Sequence, residues 1–308
     1  MRKTISIPQK LAKIKRVFKV NQLLSIETNK EYIQKYYLAN KLAYSLFHTV
    51  SDKMYMGISR DGIYKEDDLL EAARTVEKFI NSRSTKRVLE LATGRGATSA
   101  YLAEKYKEIE FEGIEISQGQ LDFAQKKAKK ILNYHPILGD YHNLSNYKES
   151  SVDIAFVIEA LCYSTEKEKV FAEVRRVLKK DGVFIILDGY LRKDNKVMSE
   201  DEILACKLTE IGMAIPEFEK FEKVLAIAEK VGLVTESNED VSVHILPTLR
   251  RFEKLAAFFF SSKFISKAFS LFFSKEVTYN AISGYLMPNL IEEGLASYYI
   301  TVLRKEGK

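Results

Sequence analysis

From Lys86 onward the apolar positions change rhythm repeatedly, with short aliphatic runs alternating with stretches of helical spacing. RVLELA predicts a strand that Gly94 and Gly96 break, and ATSAYLAEKY predicts a helix. FEGIEI reads as a second strand, SQGQLDFAQKKAKKIL as a helix, HPILGD as a third strand and SVDIAFVI as a fourth. EKEKVFAEVRRVLKK is amphipathic, with Val170, Phe171, Val174, Val177 and Leu178 on one side. Asp181-Gly182 then turns the chain into a fifth strand, VFIILDG. Strands alternating with helices predict a parallel sheet covered on both faces. Near-continuous apolar runs such as VFIIL fit strands buried on both sides.

After Gly189 the alternation lengthens. Residues 198–213 and 217–231 read as helices, LVTESNEDVSVHIL holds a sixth strand, and ASYYITVLRK (296–305) is a seventh. Between the last two lies a helical insertion, about 245–293, that includes LAAFFFSSKFISKAFSLFF (255–273). Ahead of the core, residues 9–24 place Leu11, Ile14, Phe18 and Leu24 near one face of a basic helix. Residues 29–47 read as helix, 51–62 as loop, and Asp67 or Asp68 caps a helix running to about Asn81. The pattern divides the chain into a helical N-terminal extension with a basic arm, 1–62, and an α/β domain, 63–308, with its core at 86–190.

Hydrophobic residues make up 46 % of the 308 and charged residues 29 %, an ordinary globular balance. The two cysteines, Cys162 and Cys206, are far apart and form no CxxC, which argues against a disulfide framework or a cysteine metal site. They fit a reducing, cytoplasmic setting. The net charge of +6 is uneven: the first twenty residues hold seven Lys and Arg and no acid, so the rest sums to −1 (+6 minus +7). No signal-peptide pattern and no apolar run of ~18 residues is visible, so no spanning helix is expected. The basic helix at 9–24 either lies on an anionic membrane surface or docks its apolar stripe on the body.

The candidate chemistry begins at the glycine turn. Glu90 ends the first strand, and Gly94-Arg95-Gly96 precedes a helix. Glycines there permit close approach of backbone to a ligand. A dinucleotide site would want a third glycine, where this chain has Ser99. A carboxylate at the turn also opposes a pyrophosphate, whereas it suits S-adenosylmethionine, which carries a sulfonium and an ammonium and no phosphate. Glu115 ends the second strand, 25 residues after Glu90, where an acid can accept both ribose hydroxyls. Asp140 follows the third strand, placed to accept an adenine amino group, with Tyr141 beside the ring. Each acid alone also reads as an ordinary turn residue; three at successive strand ends point to a ligand.

RVLELATGRGATSAYLA, FEGIEIS, GDYHNL, SVDIAFVIEALCYS and EVRRVLKKDGVFIILDGY, in that order, resemble the motifs of class I S-adenosylmethionine-dependent methyltransferases. The likeness is to the group with sterol C-methyltransferases and tocopherol-type small-molecule enzymes. It is strong over 86–190 and weaker on the flanks. It implies an α/β, Rossmann-like three-layer sandwich with a seven-stranded, mostly parallel sheet whose last strand is antiparallel. It further implies that Glu90, Gly94 and Gly96 line the methionine end of the cofactor, with Ala92 where the family motif usually has glycine. Glu115 and Ile116 would hold the ribose and flank the adenine, Gln120 would join the cofactor set, and Asp140 and Tyr141 would bind the adenine. Glu159 would sit near both methionine and acceptor, with Tyr163 the second group expected to face the acceptor. The segment YYLANKLAYSLFHTVSDKMYMGIS resembles the family's pre-core region, with Tyr55 where histidine is common. Tyr36 and Tyr37 either reach the cleft or pack in the core.

Methyl transfer needs nucleophile and methyl held in line, and a base only where the acceptor sheds a proton. His48, His142 and His244 are further candidates for that base, although a lone histidine is usually structural or on the surface. The acceptor implied is a small, lipid-like or isoprenoid molecule, met by the region before residue 62 and by the insertion crowded with Phe258, Phe259, Phe260, Phe264, Phe269, Phe272 and Phe273. That cluster reads as buried helix, as an apolar lid, or as peripheral membrane contact. A nucleic-acid methyltransferase rests on the basic arm alone, since IEALCYS after the fourth strand is no base-flipping motif. A protein that binds S-adenosylmethionine without turnover fits the same residues. A nicotinamide oxidoreductase is disfavoured by Glu90 and Ser99.

Overall fold

The chain is described by a computed structural model for residues 5–306 apart from 34, 37, 38 and 40–51. Tyr37, His48 and much of the helix expected at 29–47 lie outside the described residues. The aliphatic runs form β1 (Arg87–Leu91), β2 (Glu110–Glu115), β3 (Tyr134–Leu138), β4 (Val152–Ile158) and β5 (Leu178–Leu191). These are joined by β6 (Leu233–Asp240) and β7 (Ala296–Lys305). One sheet results, in the order β3-β2-β1-β4-β5-β7-β6. β1 to β5 pair in parallel, and β7 runs antiparallel to both β5 and β6. The seven strands, with the last one reversed, are those the sequence motifs imply.

Alternation along each strand feeds two cores. Val88, Ile154 and Phe156 point into one, with α3 (Glu71–Asn81), α4 (Ala97–Lys105) and α5 (Gln118–Ala128). Leu89, Ala155 and Val157 point into the other, beneath α6 (Lys167–Val177) and α8 (Phe221–Lys230). A third cluster is mainly helical, with Leu191 and Ala296 joining it from the ends of β5 and β7. It joins α1 (Ile7–Val17), α2 (Val20–Leu24), α7 (Glu200–Met213), the end of α9 (Ser242–Phe259) and α11 (Lys275–Glu292).

Several expected boundaries move. The helix at 9–24 breaks at Phe18–Lys19 into α1 and α2. Ile7, Leu11 and Ile14 are buried against the body, as is the Lys10 ammonium, which donates to the Tyr285 carbonyl and pairs with Glu253. The apolar stripe of α1 therefore faces protein, Lys13 is half-buried, and Lys15 and Arg16 face outward, while Leu24 falls off that face and is exposed. VSVHIL is not strand: Asp240 accepts from the Ser242 backbone N–H at 3.0 Å, and that local bond starts α9. Nor is 255–273 one helix. α9 ends at Phe259, Ser262 accepts from the Ile265 N–H at 3.2 Å, and α10 (Lys263–Phe272) departs at 103°. Among the described residues no single helix is long and apolar enough to cross a membrane.

Candidate active site

Parallel strands end at one edge of the sheet, so the acids that terminate them converge there. Past β1 the chain makes a tight turn in which Ala92, Gly94 and Gly96 take φ of +53°, +56° and +72°. Such angles cost a residue other than glycine about 1 kcal/mol or more, so Ala92 carries strain where the family motif has glycine. The two glycines serve different needs. A Cβ on Gly96 would lie 2.3 Å from the Tyr134 hydroxyl and 2.8 Å from Ala124 Cβ, so its bareness lets α4 start hard against α5 and β3. A Cβ on Gly94 would meet only Met54 Cε, at 3.9 Å, so its bareness exposes backbone to the cleft. Gly96→Ala is expected to destabilise the fold by about 3 kcal/mol, from left-handed strain plus overpacking. Urea denaturation would read this; a loss below about 1 kcal/mol would mean that the crowding relaxes.

Glu90 is buried and accepts from the Thr93 hydroxyl at 2.6 Å. Burial raises its pKa to about 7. Glu115 is also buried, and burial again raises its carboxyl above the ordinary value. Its Oε2 accepts from the Gly94 N–H at 2.9 Å and its Oε1 from the Ser117 N–H at 2.8 Å. The carboxylate at the tip of β2 thus braces the glycine turn of β1. Gln120, buried on α5, accepts from Arg95 Nε at 3.2 Å, and Arg95 pairs with Asp52 in the loop before the core.

Asp140 is held differently from the simple adenine acceptor that the motif implies. Its Oδ1 accepts from the His142 N–H at 3.0 Å and lies 2.6 Å from His142 Nδ1, and its Oδ2 pairs with Lys30 at 2.8 Å. Burial acts to raise this carboxyl, but Lys30 and His142 prevail and hold it at about 2. His142 uses its other ring nitrogen on Ser164 Oγ, at 2.8 Å. Both ring nitrogens are thus engaged, and the ring borders the cleft. Tyr141 donates to the Ala160 carbonyl at 3.0 Å, keeping its ring along the cleft wall.

Glu159 follows β4 in the left-handed region, φ +48°, another strained position at the same edge. Its Oε1 accepts from the Met56 N–H at 2.7 Å and from the Tyr298 hydroxyl at 2.9 Å, and burial raises its pKa to about 7. Tyr163 donates to the Met213 carbonyl at 3.1 Å. Among the described residues no cationic side chain is in an ion pair with Glu90, Glu115 or Glu159.

These groups line a cleft of about 710 Å³. Glu90, Ala92, Gly94, Glu115, Ile116, Gln120, Asp140, Tyr141, Glu159 and Tyr163 all border it; Gly96 does not, and neither does any phenylalanine of the insertion. His244 does not border it either. A second cavity, of about 280 Å³, shares Met54, Glu159 and Tyr163 with the first and is otherwise walled mainly by apolar side chains of α7, α9, α10 and α11. Tyr36 is buried against this second cavity. Tyr55 is buried too, sharing a 2.9 Å bond with the Thr98 hydroxyl of α4. The sequence reading missed Tyr298, Asp188 and Lys30. Asp188 lines the apolar cavity, and its Oδ2 accepts from the Cys162 N–H at 2.9 Å. It had a readable signal, an acid closing the apolar run VFIIL. Tyr298 had none, being one aromatic in a strand whose partner lies 139 positions away.

A methyltransferase-domain family model matches residues 82–243. The sterol methyltransferase-like 3 protein of Botryococcus braunii is 27 % identical over 160 residues, 51 % of this chain and 40 % of that one. The demethylmenaquinone methyltransferase of Thermotoga maritima is 32 % identical over 117 residues, 37 % and 48 % of the two chains. These matches thus span less than half the length of either relative. Among solved structures, the [4+2]-cyclase SpnF superposes with a TM-score of 0.71 at 16 % identity, covering 92 % of this chain and 98 % of that one. That likeness is one of fold. With the family model covering more than half of the 308 residues, the chain belongs to the methyltransferase-domain family, the class of S-adenosylmethionine-dependent enzymes to which its ordered motifs pointed.

Proposed function

We propose that the protein transfers a methyl group from S-adenosylmethionine to a small, lipid-like acceptor seated in the apolar cavity. One observation carries this reading: a cleft with three acidic side chains that have no ion-pair partner among the described residues shares the Glu159 wall with an apolar cavity. Buried carboxylates without a counter-charge are costly, and a ligand bearing an ammonium and a sulfonium relieves that cost. The residues fit such a ligand. Glu90 and the bare backbone at Gly94 suit the methionine end, Glu115 the ribose, and Ile116 with Tyr141 the faces of the adenine. Relatives named for sterol and demethylmenaquinone methylation agree with an apolar acceptor.

When bound, the cofactor supplies a methyl group on cationic sulfur, and the positive charge passes to the acceptor as the methyl does. The chain's own residues then have three tasks. The apolar walls of α9 and α11 hold the acceptor and exclude water, which strengthens electrostatics inside. The turn at 92–96 and Glu115 fix the donor side, since alignment supplies much of the rate. Glu159, at the junction and near neutrality in pKa, takes up a proton from an acceptor that must lose one.

Titration calorimetry with S-adenosylmethionine, S-adenosylhomocysteine and NADH is expected to show binding of the two adenosyl ligands only. Binding of NADH alone would overturn the reading. The fold also serves a cyclase, so the second assay is mass spectrometry of lipid extracts incubated with methyl-labelled cofactor. Tight cofactor binding with no labelled product from any extract would favour a protein that holds the cofactor without methyl transfer.

A further inference from the structure

α10 is apolar on two sides. Ser266 and Phe269 face the body and the apolar cavity, whereas Phe264 is 81 % exposed, Leu271 77 % and Phe272 84 %. At the end of α9, Phe258 is 58 % exposed, lines the apolar cavity and meets Phe269 of α10 edge-on at 6.5 Å. Large apolar side chains exposed together on neighbouring helices mark an interaction site rather than ordinary scatter.

The charge pattern selects the occupant. Residues 254–275 hold four lysines, Lys254, Lys263, Lys267 and Lys275, and no acid. All four are exposed, and among the described residues none is in an ion pair. The acids that bracket the stretch are both neutralised, Glu253 by Lys10 and Arg250 and Glu276 by Lys35. α1 packs beside α10 and carries the exposed Lys15 and Arg16, with Lys19 exposed just beyond its end. Aromatic side chains ringed by unpaired lysines complement an anionic bilayer, where rings enter the acyl boundary and ammonium groups meet headgroups.

We propose that α10 and the end of α9 dock the protein on an anionic lipid surface, so that an acceptor passes from the bilayer past Phe258 into the apolar cavity. The route rests on the lipid-like acceptor proposed above; the docking does not. The test is co-sedimentation of the full chain with vesicles of phosphatidylcholine, alone or mixed with phosphatidylglycerol. Binding is expected to the mixed vesicles and to weaken with salt. Lys263→Gln with Lys267→Gln should lower the partition coefficient roughly thirty-fold. Phe264→Ser with Phe272→Ser should lower it about tenfold or more. Both variants should keep wild-type affinity for S-adenosylhomocysteine, which shows that the fold is intact. No partition of the wild type, or variants that partition equally, overturns the proposal. So does a Phe264→Ser, Phe272→Ser protein that turns from dimer to monomer in light scattering while the wild type ignores vesicles, since the face would then bind a second copy. Vesicle binding without methylation of any lipid would remove the acceptor reading and leave the docking standing.

Discussion

Replacing Glu115 with alanine is expected to raise the dissociation constant for S-adenosylhomocysteine about a hundredfold, or ~2.7 kcal/mol. Two losses combine. The carboxylate that would receive the ribose hydroxyls disappears, and hydrogen bonds to a charged group are worth about 1.5–3 kcal/mol. The Gly94 and Ser117 N–H groups also lose their acceptor, which frees the turn that must present its backbone to the ligand. Glu115→Gln separates the two. Its amide oxygen can keep one backbone bond, so the turn is partly retained while the charge is removed. The glutamine variant should bind more tightly than the alanine variant and less tightly than wild type. Calorimetry at matched salt reads all three; wild-type affinity in the alanine variant would remove Glu115 from the site.

Why this site was legible in the sequence, and other parts were not, follows from how far each signal travels along the chain. Glu90, Gly94 and Glu115 are tied to strand ends by short-range patterning, and a parallel sheet brings strand ends together without further information. Ile116 and Tyr141 follow from the same logic one residue on. Gly96 was read as a ligand contact; it does not border the cleft, and the clash its bareness avoids lies with Tyr134 and Ala124, on other elements. Asp140 follows β3 and borders the cleft, yet its salt bridge to Lys30 spans 110 positions and leaves no local trace. The helix boundaries shifted for a similar reason. The run 255–273 is apolar enough to read as one buried helix, but two adjacent serines at 261–262 let the chain turn and put Phe264 outside. Periodicity gives the faces of a helix; which face meets solvent is decided by what packs against it.

Glu159→Gln is expected to lower kcat/KM by about a hundredfold at pH 8, for an acceptor that loses a proton. The pH dependence carries the argument. With a pKa raised to about 7 by burial, the wild type holds a proton on Glu159 below neutrality and cannot take another. Its rate should therefore rise with pH and level off once Glu159 is ionised, at or below the value of about 7 it has without the cationic cofactor beside it. The glutamine variant should be slow and lack that limb, while its cofactor affinity stays within a few fold. Stability moves the opposite way. A carboxyl whose pKa is raised from 4.5 on folding binds more protons in the native state, so its contribution is full at acid pH and is lost as pH rises through about 7. Glu90 behaves alike. Denaturation of the cofactor-free protein should thus show stability declining from about pH 4.5 to pH 8, with a shallower decline for Glu159→Gln. A variant with the wild-type pH–rate profile would show that Glu159 takes no proton in the reaction. Its hydrogen bonds to the Met56 N–H and the Tyr298 hydroxyl would then be its whole role, pinning the loop before the core across the mouth of the apolar cavity.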